Sequence, residues 1–200
     1  MKKLNPLPPA ERNEYYAKTR EDWRKWLEKN HERCESVWLI LYNKASKISS
    51  PNYAEAVEEA LCFGWIDSKA NKRDSQSRIQ YFARRNPKSK WSGLNKERVK
   101  KLMKTGLMQK AGLEMVKLAK KSGTWTALDE VEALKIPEDL RTALSHNKRA
   151  YINFEAFPPS SRKIILYWIL DAKRTETRKK RIRETVALAA RNIRAHHYPT

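Results

Sequence analysis

The stretch NYAEAVEEALCFGWID, residues 52–67, predicts a helix with a defined start and end, and so decides the local fold. Asn52 is a typical N-cap residue, and Glu55 three positions later completes a capping box. Apolar residues follow at helical spacing. Gly64 can adopt the left-handed conformation that ends many helices. The chain therefore leaves this helix at Gly64, and residues 65–67 can direct their side chains into a cleft.

Two segments outside this helix have the composition of β-strands. SVWLILYNK, residues 36–44, contains a nearly continuous run of apolar β-forming residues. RIQYFARR, residues 78–85, alternates apolar and polar side chains. The polar residues 68–77 are typical of a loop. We therefore expect a small antiparallel β element in which residues 37–44 pair with residues 78–85.

Helical patterns fill most of the remaining chain. Residues 10–30 carry tryptophan and leucine at helical spacing and predict a helix. In a later helix, the same spacing predicts that Leu113, Val116 and Leu118 face inward. The fold class is therefore predicted to be α+β and predominantly helical, with helices packed on the β element.

Length and composition fit one domain. Two hundred residues are enough to bury a core without disulfides or a structural metal. The composition shifts near residue 105, where the motif-bearing part of the chain ends. We expect a single domain over residues 1–200, with an α+β half at about 10–105 and a helical half at about 106–195.

The net charge is the most unusual feature of the composition. The chain has 43 Lys and Arg residues against 23 Asp and Glu residues, which gives a charge of +20 at pH 7. Such an excess favours anionic partners, which include nucleic acids, phosphates and acidic surfaces. A basic composition that serves solubility alone is the alternative interpretation.

No segment has the composition of a membrane span. The longest apolar run, IILYWIL at residues 164–170, is far shorter than the roughly 18 residues that a transmembrane helix needs. The first residues contain two lysines but no apolar segment behind them, so we expect no signal peptide. The sequence therefore predicts a cytoplasmic protein.

The chain lacks the common motifs for metals, nucleotides and covalent catalysis. Its four histidines and two cysteines do not fall at ligand spacings. Its five glycines form neither a phosphate-binding loop nor a nucleophile elbow. Cys62 lies at an apolar helix end, where a buried thiol is expected rather than a nucleophile. We therefore predict no metal, no cofactor and no catalytic residue.

A ligand-binding block in the middle of the chain is the remaining candidate site. Arg84 and Arg85 would hold an anion, while Asp67 orients one of them. Trp91 would stack on the ligand or form a wall, and Ser92 would cap a helix whose free N–H groups favour an anion. The alternative is that the tryptophans are core residues and the arginines are solvated. The full set is Trp65, Asp67, Arg84, Arg85, Lys90, Trp91, Ser92 and Asn95.

The C-terminal region contains a second basic segment. RKKRIRE, residues 178–184, has the charge pattern of a nucleic-acid-binding or acidic-surface-binding helix. A solvated helix face explains the same pattern and is the favoured interpretation.

Three stretches of the chain resemble one bacterial family. They are YAEAVEEALCFGWIDS, RIQYFARRNPKSKWSGLN and RKIILYWILDAKRTETRKKRI, which together are similar to the YdeI/OmpD-associated family, also called the bacteriocin-protection family. The resemblance runs from about Asp22 to Asn192. It implies a small, mostly helical bacterial protein without established catalytic activity. It also implies a link to protection against bacteriocins and antimicrobial peptides, and to an outer-membrane porin.

The family pattern includes most of the candidate site. The matching positions are Gly64, Trp65, Ile66, Asp67, Arg84, Arg85, Ser89, Trp91, Ser92 and Asn95. The chain departs from the pattern at Ser68, where the family commonly has glycine, and at Ala83, where it commonly has proline. Both departures affect turn residues and leave the polar groups in place.

These observations favour a cytoplasmic binding protein for a small or polymeric anion, acting in stress or antimicrobial-peptide resistance. Two alternatives stay open. A nucleic-acid-binding protein would contact phosphates with the basic C-terminal helix and stack bases on the central aromatic residues. An enzyme would use Asp67 as an acid or base, although no second catalytic partner is identifiable.

Overall fold

The structure is a computed structural model that describes residues 13–196. The chain divides into two compact units, Met1–Trp125 and Thr126–Thr200. The expectation that the whole chain forms one domain stays a prediction.

Over its described residues, 13–125, the first unit contains a four-stranded sheet and four α-helices. Its elements in chain order are β1 (Glu14–Tyr16), α1 (Arg20–Asn30), β2 (Ser36–Tyr42), α2 (Tyr53–Cys62), β3 (Trp65–Lys72), β4 (Ser77–Arg84), α3 (Gly93–Lys104) and α4 (Lys110–Ser122). A short 3-10 helix, Lys44–Ser46, follows β2. An α+β, helix-rich fold is therefore confirmed.

The sheet contains the predicted antiparallel pair and two further strands. The strand order is β1-β2-β4-β3. Strands β2 and β4 are antiparallel, with Ser36 opposite Ala83 and Tyr42 opposite Ser77. Because β1 pairs with β2 in parallel, the sheet is mixed rather than purely antiparallel.

Strand β3 replaces most of the predicted loop. It pairs antiparallel with β4 at the sheet edge, and its register shifts between Asp67 and Ala70. The tight turn is confined to the residues between β3 and β4, where Asp74 accepts backbone hydrogen bonds from Gln76 at 2.8 Å and Ser77 at 2.7 Å. Sequence patterns missed the strand because most of its second half is exposed and polar, which removes the hydrophobic alternation of a strand.

The predicted first helix begins later than expected. Part of the range 10–30 lies outside the described residues, and Glu14–Tyr16 forms β1. Thr19 is the N-cap of α1 and forms a capping box with Asp22. A capping box ends the preceding extended segment at a definite residue, so the helix begins at Arg20.

The start and end of α2 match the sequence prediction. Asn52 accepts the backbone N–H of Glu55 at 3.1 Å, and the Glu55 side chain accepts the backbone N–H of Asn52 at 2.9 Å. Gly64 has a φ angle of 73°. Only two residues separate α2 from β3, so the left-handed backbone of Gly64 makes the direct helix-to-strand reversal possible.

The core of the first unit lies between the sheet and helices α1, α2, α3 and α4, and it includes one buried carboxylate. Trp23 and Leu27 of α1 are buried, as are Leu39 and Phe82 of the sheet. Glu59 of α2 is 3% exposed. Arg20 Nε lies 2.6 Å from one of its oxygens and Arg24 Nη1 lies 2.7 Å from the other. This pairing compensates the desolvation of the carboxylate and joins α1 to α2.

The second unit is helical. Its elements are α5 (Asp129–Glu132), α6 (Glu138–Ser145), α7 (Lys148–Ala156), α8 (Pro159–Leu170) and α9 (Thr175–Ala189). Leu140, Leu144, Phe154 and Ile169 form part of its buried core. No helix in residues 13–196 is long and apolar enough to cross a membrane.

Helix α4 packs against the end of α2 through a glycine rather than through leucines. A Cβ atom on Gly112 would lie 2.3 Å from the carbonyl oxygen of Cys62. The prediction that Leu113 and Leu118 face inward is wrong, because both are exposed, whereas Val116 is buried as predicted. At Gly112 the two helices therefore meet through their backbones, without the interlocking side chains of usual helix packing.

We expect Gly112→Ala to destabilise the first unit by at least about 2 kcal/mol, because the added methyl group overpacks a backbone contact. Gly106→Ala is the control, since a Cβ there meets nothing within 4 Å. It should cost about 1 kcal/mol for the left-handed backbone alone. Urea unfolding followed by tryptophan fluorescence measures both. A Gly112→Ala protein as stable as the wild type would contradict the close contact.

Candidate functional site

Arg84, the last residue of β4, is used to hold the turn between α1 and β2. Its Nε donates hydrogen bonds to the carbonyl oxygens of His31 at 3.1 Å and Cys34 at 3.0 Å. Its Nη2 donates to the carbonyl oxygen of Glu32. Its Nη1 lies 3.5 Å from the exposed carboxylate of Glu35. The guanidinium therefore supplies hydrogen-bond donors to carbonyl oxygens just after the end of α1, which have no partner within the helix.

Arg85 has the opposite environment. Its backbone N–H donates to the carbonyl oxygen of Gly64 at 3.0 Å, and its side chain turns into the protein, so that the residue is 5% exposed. The guanidinium lies 3.7 Å from the centre of the Trp91 ring. Nη2 donates to the carbonyl oxygen of Lys90 at 2.7 Å, but buried Nε has no hydrogen-bond partner. Nη1 also makes no hydrogen bond to any residue that the structure describes.

This arrangement leaves a buried cation without an ion pair. Within residues 13–196, no carboxylate lies within ion-pair distance of Arg85. Burial lowers the pKa of Arg85 to about 10, although the negative charge of Asp67 opposes the shift. Arg85 is therefore still charged at neutral pH. Because the unfolded chain binds this proton more tightly than the folded chain, the charge destabilises the fold below about pH 10.

Both arginines line a pocket of about 270 Å³. It lies where α2 turns into β3, beside α4. Phe63, Trp65 and Met115 supply apolar walls, and Arg84 and Arg85 supply positive charge. The remaining lining residues are His31, Glu32, Gly64 and Ala111. A cationic group in an otherwise mainly apolar pocket is suited to a ligand with an acidic group and an apolar body.

Asp67 lies in a separate hydrogen-bonded cluster. The Tyr53 hydroxyl donates to its Oδ2 at 2.7 Å, and Gln80 Nε2 donates to the same oxygen at 3.4 Å. Asp67 therefore does not orient either arginine by direct contact, although the sequence pattern predicted that it would. Arg84 pairs with Glu35 instead, and Asp67 acts on Arg85 only through space, where its charge opposes the lowering of the Arg85 pKa. Burial and the Asp67 carboxylate raise the pKa of Tyr53 to about 12.

The two tryptophans of the predicted site are buried. Trp65 donates its Nε1–H to the carbonyl oxygen of His31 at 3.2 Å and packs edge-on against Trp26 at 5.8 Å. It belongs to the core and forms one wall of the pocket. Trp91 lies between Arg85 and Trp125, whose ring centre is 5.0 Å away.

The other predicted residues lie at the start of α3. Ser92 is the N-cap, as predicted, and accepts the backbone N–H of Asn95 at 3.4 Å. The side chain of Asn95 accepts a hydrogen bond from Arg98 at 3.0 Å. Lys90 contributes its carbonyl oxygen to Arg85. These residues shape the loop behind the buried guanidinium rather than the pocket wall.

The structure brings several residues to these sites that the sequence patterns did not predict. Phe63 and Met115 line the pocket, and Tyr53 and Gln80 contact Asp67. Phe63 could have been selected, because it immediately precedes the helix-ending glycine. The other three carry no local signal, since their proximity depends on tertiary packing.

The basic C-terminal segment uses two of its five cations within the second unit. Arg178 donates two hydrogen bonds to Asp139, at 2.6 and 2.9 Å, and thereby lowers the pKa of that carboxyl group. Arg181 donates to the carbonyl oxygen of Trp168 and its guanidinium lies 5.1 Å from that ring. The other charged residues of this part of α9 are exposed and carry both signs, namely Lys179, Lys180, Arg183, Glu176 and Glu184.

No group of three or more His, Cys, Asp or Glu residues in the described part of the chain is arranged to hold a metal ion. Cys62 is buried, and this burial raises the pKa of its thiol to about 11. The thiol is therefore protonated at neutral pH, as expected for a core cysteine.

We expect the neighbouring arginines to differ in their effect on stability. Arg84→Met should lower the free energy of unfolding by about 1.5–3 kcal/mol, because hydrogen bonds from a charged group to carbonyl oxygens are lost. Arg85→Met should leave it unchanged or raise it, because an apolar side chain replaces an unpaired buried charge. Urea unfolding of both variants at pH 7 makes the comparison. Equal destabilisation by the two substitutions would show that the charge of Arg85 is stabilised by its surroundings as well as that of Arg84, and would contradict the absence of an ion pair.

The stability contribution of Tyr53 should depend on alkaline pH. Its pKa is raised in the folded state, so its hydrogen bond stabilises the fold below about pH 10 and is lost as pH rises towards 12. Tyr53→Phe should therefore flatten the decline in unfolding free energy over this range. Tyr151→Phe, at an exposed tyrosine, is the control. A decline identical in Tyr53→Phe and wild type would contradict the contact with Asp67.

Two family models match separate parts of the chain. Residues 15–115, just over half of the chain, match the model described as Domain of unknown function (DUF8412). Residues 133–192 match the model described as Bacteriocin-protection, YdeI or OmpD-Associated. No curated protein and no solved structure shows a significant match. The chain therefore belongs to the DUF8412 family, and residues 133–192 confirm its resemblance to the YdeI/OmpD-associated family.

Proposed function

We propose that this chain is an anion-binding protein and that the pocket beside Gly64 is its binding site. Arg85 would anchor the anion, while Arg84 would add positive charge at the same pocket. Asp67 would not contact Arg85 directly, but its negative charge would favour the charged form of Arg85 through space. Trp91 would hold the guanidinium of Arg85 in place from behind.

The unpaired guanidinium of Arg85 is the observation that supports this proposal. Buried charges in proteins are normally paired, because an isolated charge loses its hydration without compensation. Arg85 has an unsatisfied buried Nε and no carboxylate partner in the described chain. An anion would supply the missing partner and would raise the pKa of Arg85 again.

The pocket walls suggest which anions would fit. Phe63, Trp65 and Met115 would contact an apolar body, and the guanidinium would pair with a planar acidic group. Glu32 also lines the pocket, which disfavours ligands with several negative charges. A small aromatic carboxylate, such as benzoate, combines one negative charge with an apolar ring and is a suitable probe.

The biological setting is part of the same proposal. The family description for residues 133–192 names bacteriocin protection. We propose that anion binding serves this kind of resistance or a related stress response, in the cytoplasm. The outer-membrane porin named with the family would then be connected to the chain indirectly.

The two alternatives have less support. A nucleic-acid-binding surface on α9 would rely on Lys179, Lys180 and Arg183, but two exposed glutamates lie on the same helix and reduce its net charge. An enzyme would need Asp67 to accept or donate a proton. The Tyr53 hydroxyl bonded to Asp67 is a poor proton donor, because its pKa is about 12.

Benzoate titration followed by NMR of the arginine Nε–H groups tests the binding site. The Nε–H of Arg85 is buried and should give a distinct resonance that shifts saturably with benzoate. Arg85→Met should weaken binding about 10- to 100-fold, the usual effect of losing a charge-assisted hydrogen bond.

Lys88→Gln is the matched control for this experiment. It removes one positive charge from an exposed position in the loop that follows Arg85 and does not line the pocket. Binding should survive this substitution. Equal binding by the wild type and Arg85→Met, or no binding of benzoate to the wild type, would count against the proposed site.

A further inference from the structure

A second cleft in the first unit lies between α3 and α4 and is separate from the Arg85 pocket. It has a volume of about 460 Å³, within the range of small-molecule sites. Four apolar side chains form its floor, namely Val99, Met103, Val116 and Trp125. Both valines are buried, but Met103 is 47% exposed. The backbone N–H of Trp125 donates to the carbonyl oxygen of Ala119 at 3.1 Å, which holds the main chain of Trp125 beside the last turn of α4.

The rim of the cleft is basic. Lys96, Val99, Lys100 and Met103 follow the i, i+3, i+4, i+7 spacing of one helix face, so cations and apolar groups alternate along it. From α4, Lys120 adds a further cation, whose Nζ lies 5.6 Å from the Trp125 ring centre.

The balance of charge on the rim favours an anion. Lys100 and Lys120 make no ion pair with any residue that the structure describes. Among the residues that the structure describes, Glu97 is the one carboxylate that lines the cleft. The wider surroundings are also basic, since residues 93–123 contain nine Lys or Arg residues and two glutamates.

The form of the cleft distinguishes among possible anions. An apolar floor below a ring of lysines suits a molecule with an acidic head and an apolar chain, because each part meets its complement. A protein partner would bury roughly 800 Å² on each side, and a floor of four side chains is too small for that. A nucleic acid would place polar sugars on the apolar floor.

We propose that the α3–α4 cleft binds a single-chain anionic amphiphile, with the chain on Val99, Met103, Val116 and Trp125 and the carboxylate between Lys100 and Lys120. This site is independent of the anion pocket at Arg85. It extends the function of the first unit from small anions to acyl-chain carboxylates.

Calorimetric titration with laurate below its critical micelle concentration tests the proposal. We expect saturable binding of one laurate per chain. Butyrate has the same head group but a short chain, and it should bind at least about tenfold more weakly, because fewer methylene groups leave water. Equal affinity for butyrate and laurate would overturn the proposal, because the apolar floor would then contribute nothing.

Paired charge variants locate the head group. Lys100→Gln/Lys120→Gln should weaken laurate binding about three- to tenfold, the combined effect of two partly exposed ion pairs. Lys117→Gln/Lys121→Gln removes the same charge from α4 outside the cleft and should bind like the wild type. Equal affinity in the two double variants would overturn the assignment of the head group.

Two further variants separate this site from the Arg85 pocket. Met103→Glu places a negative charge on the exposed part of the floor and should abolish laurate binding without opening a cavity. Arg85→Met should leave laurate binding unchanged. Loss of laurate binding in Arg85→Met with retention in Met103→Glu would place the ligand in the other pocket. Binding to anionic vesicles without binding of monomeric laurate would also overturn the proposal.

Discussion

The left-handed backbone of Gly64 is the constraint on which the candidate site depends. It allows α2 to end at Cys62 and β3 to begin at Trp65, with two residues between them. Its carbonyl oxygen accepts the backbone N–H of Arg85, so the turn also positions the end of β4. A side chain at Gly64 would meet Met115 of α4 at 3.0 Å. Gly64 thus contacts or connects four parts of the site, namely α2, β3, the buried Arg85 and the pocket wall at Met115.

The two consecutive arginines show how position determines the energetic effect of a charge. Arg84 donates to carbonyl groups that need partners, so its charge supports the fold. Arg85 is buried against Trp91 with its hydrogen-bonding capacity largely unused. A fold that keeps such a group without compensation has a binding group that is already desolvated and oriented. The free-energy cost of desolvating Arg85 is then met on folding, so an anion that pairs with the guanidinium does not have to meet it again on binding.

Sequence patterns predicted the elements whose signals are local. The capping box of α2, the glycine at its end and the strands β2 and β4 were all predictable, because each signal lies in neighbouring residues. The roles of Arg84 and Arg85 were not predictable in the same way. Arg84 ends β4 and Arg85 follows it, so the direction of each guanidinium depends on the carbonyl groups and the Trp91 ring that tertiary packing brings near. The contact of Gly112 with α2 is likewise a tertiary property.

The register shift in β3 has a consequence for association between chains. Strand β3 lies at the edge of the sheet, where unpaired backbone groups can recruit another strand. The shift between Asp67 and Ala70 interrupts that regular edge, and Lys69 and Lys72 add exposed charge along it. An irregularity beside Asp67, together with these lysines, therefore makes the β3 edge a poor template for pairing with a strand of another chain.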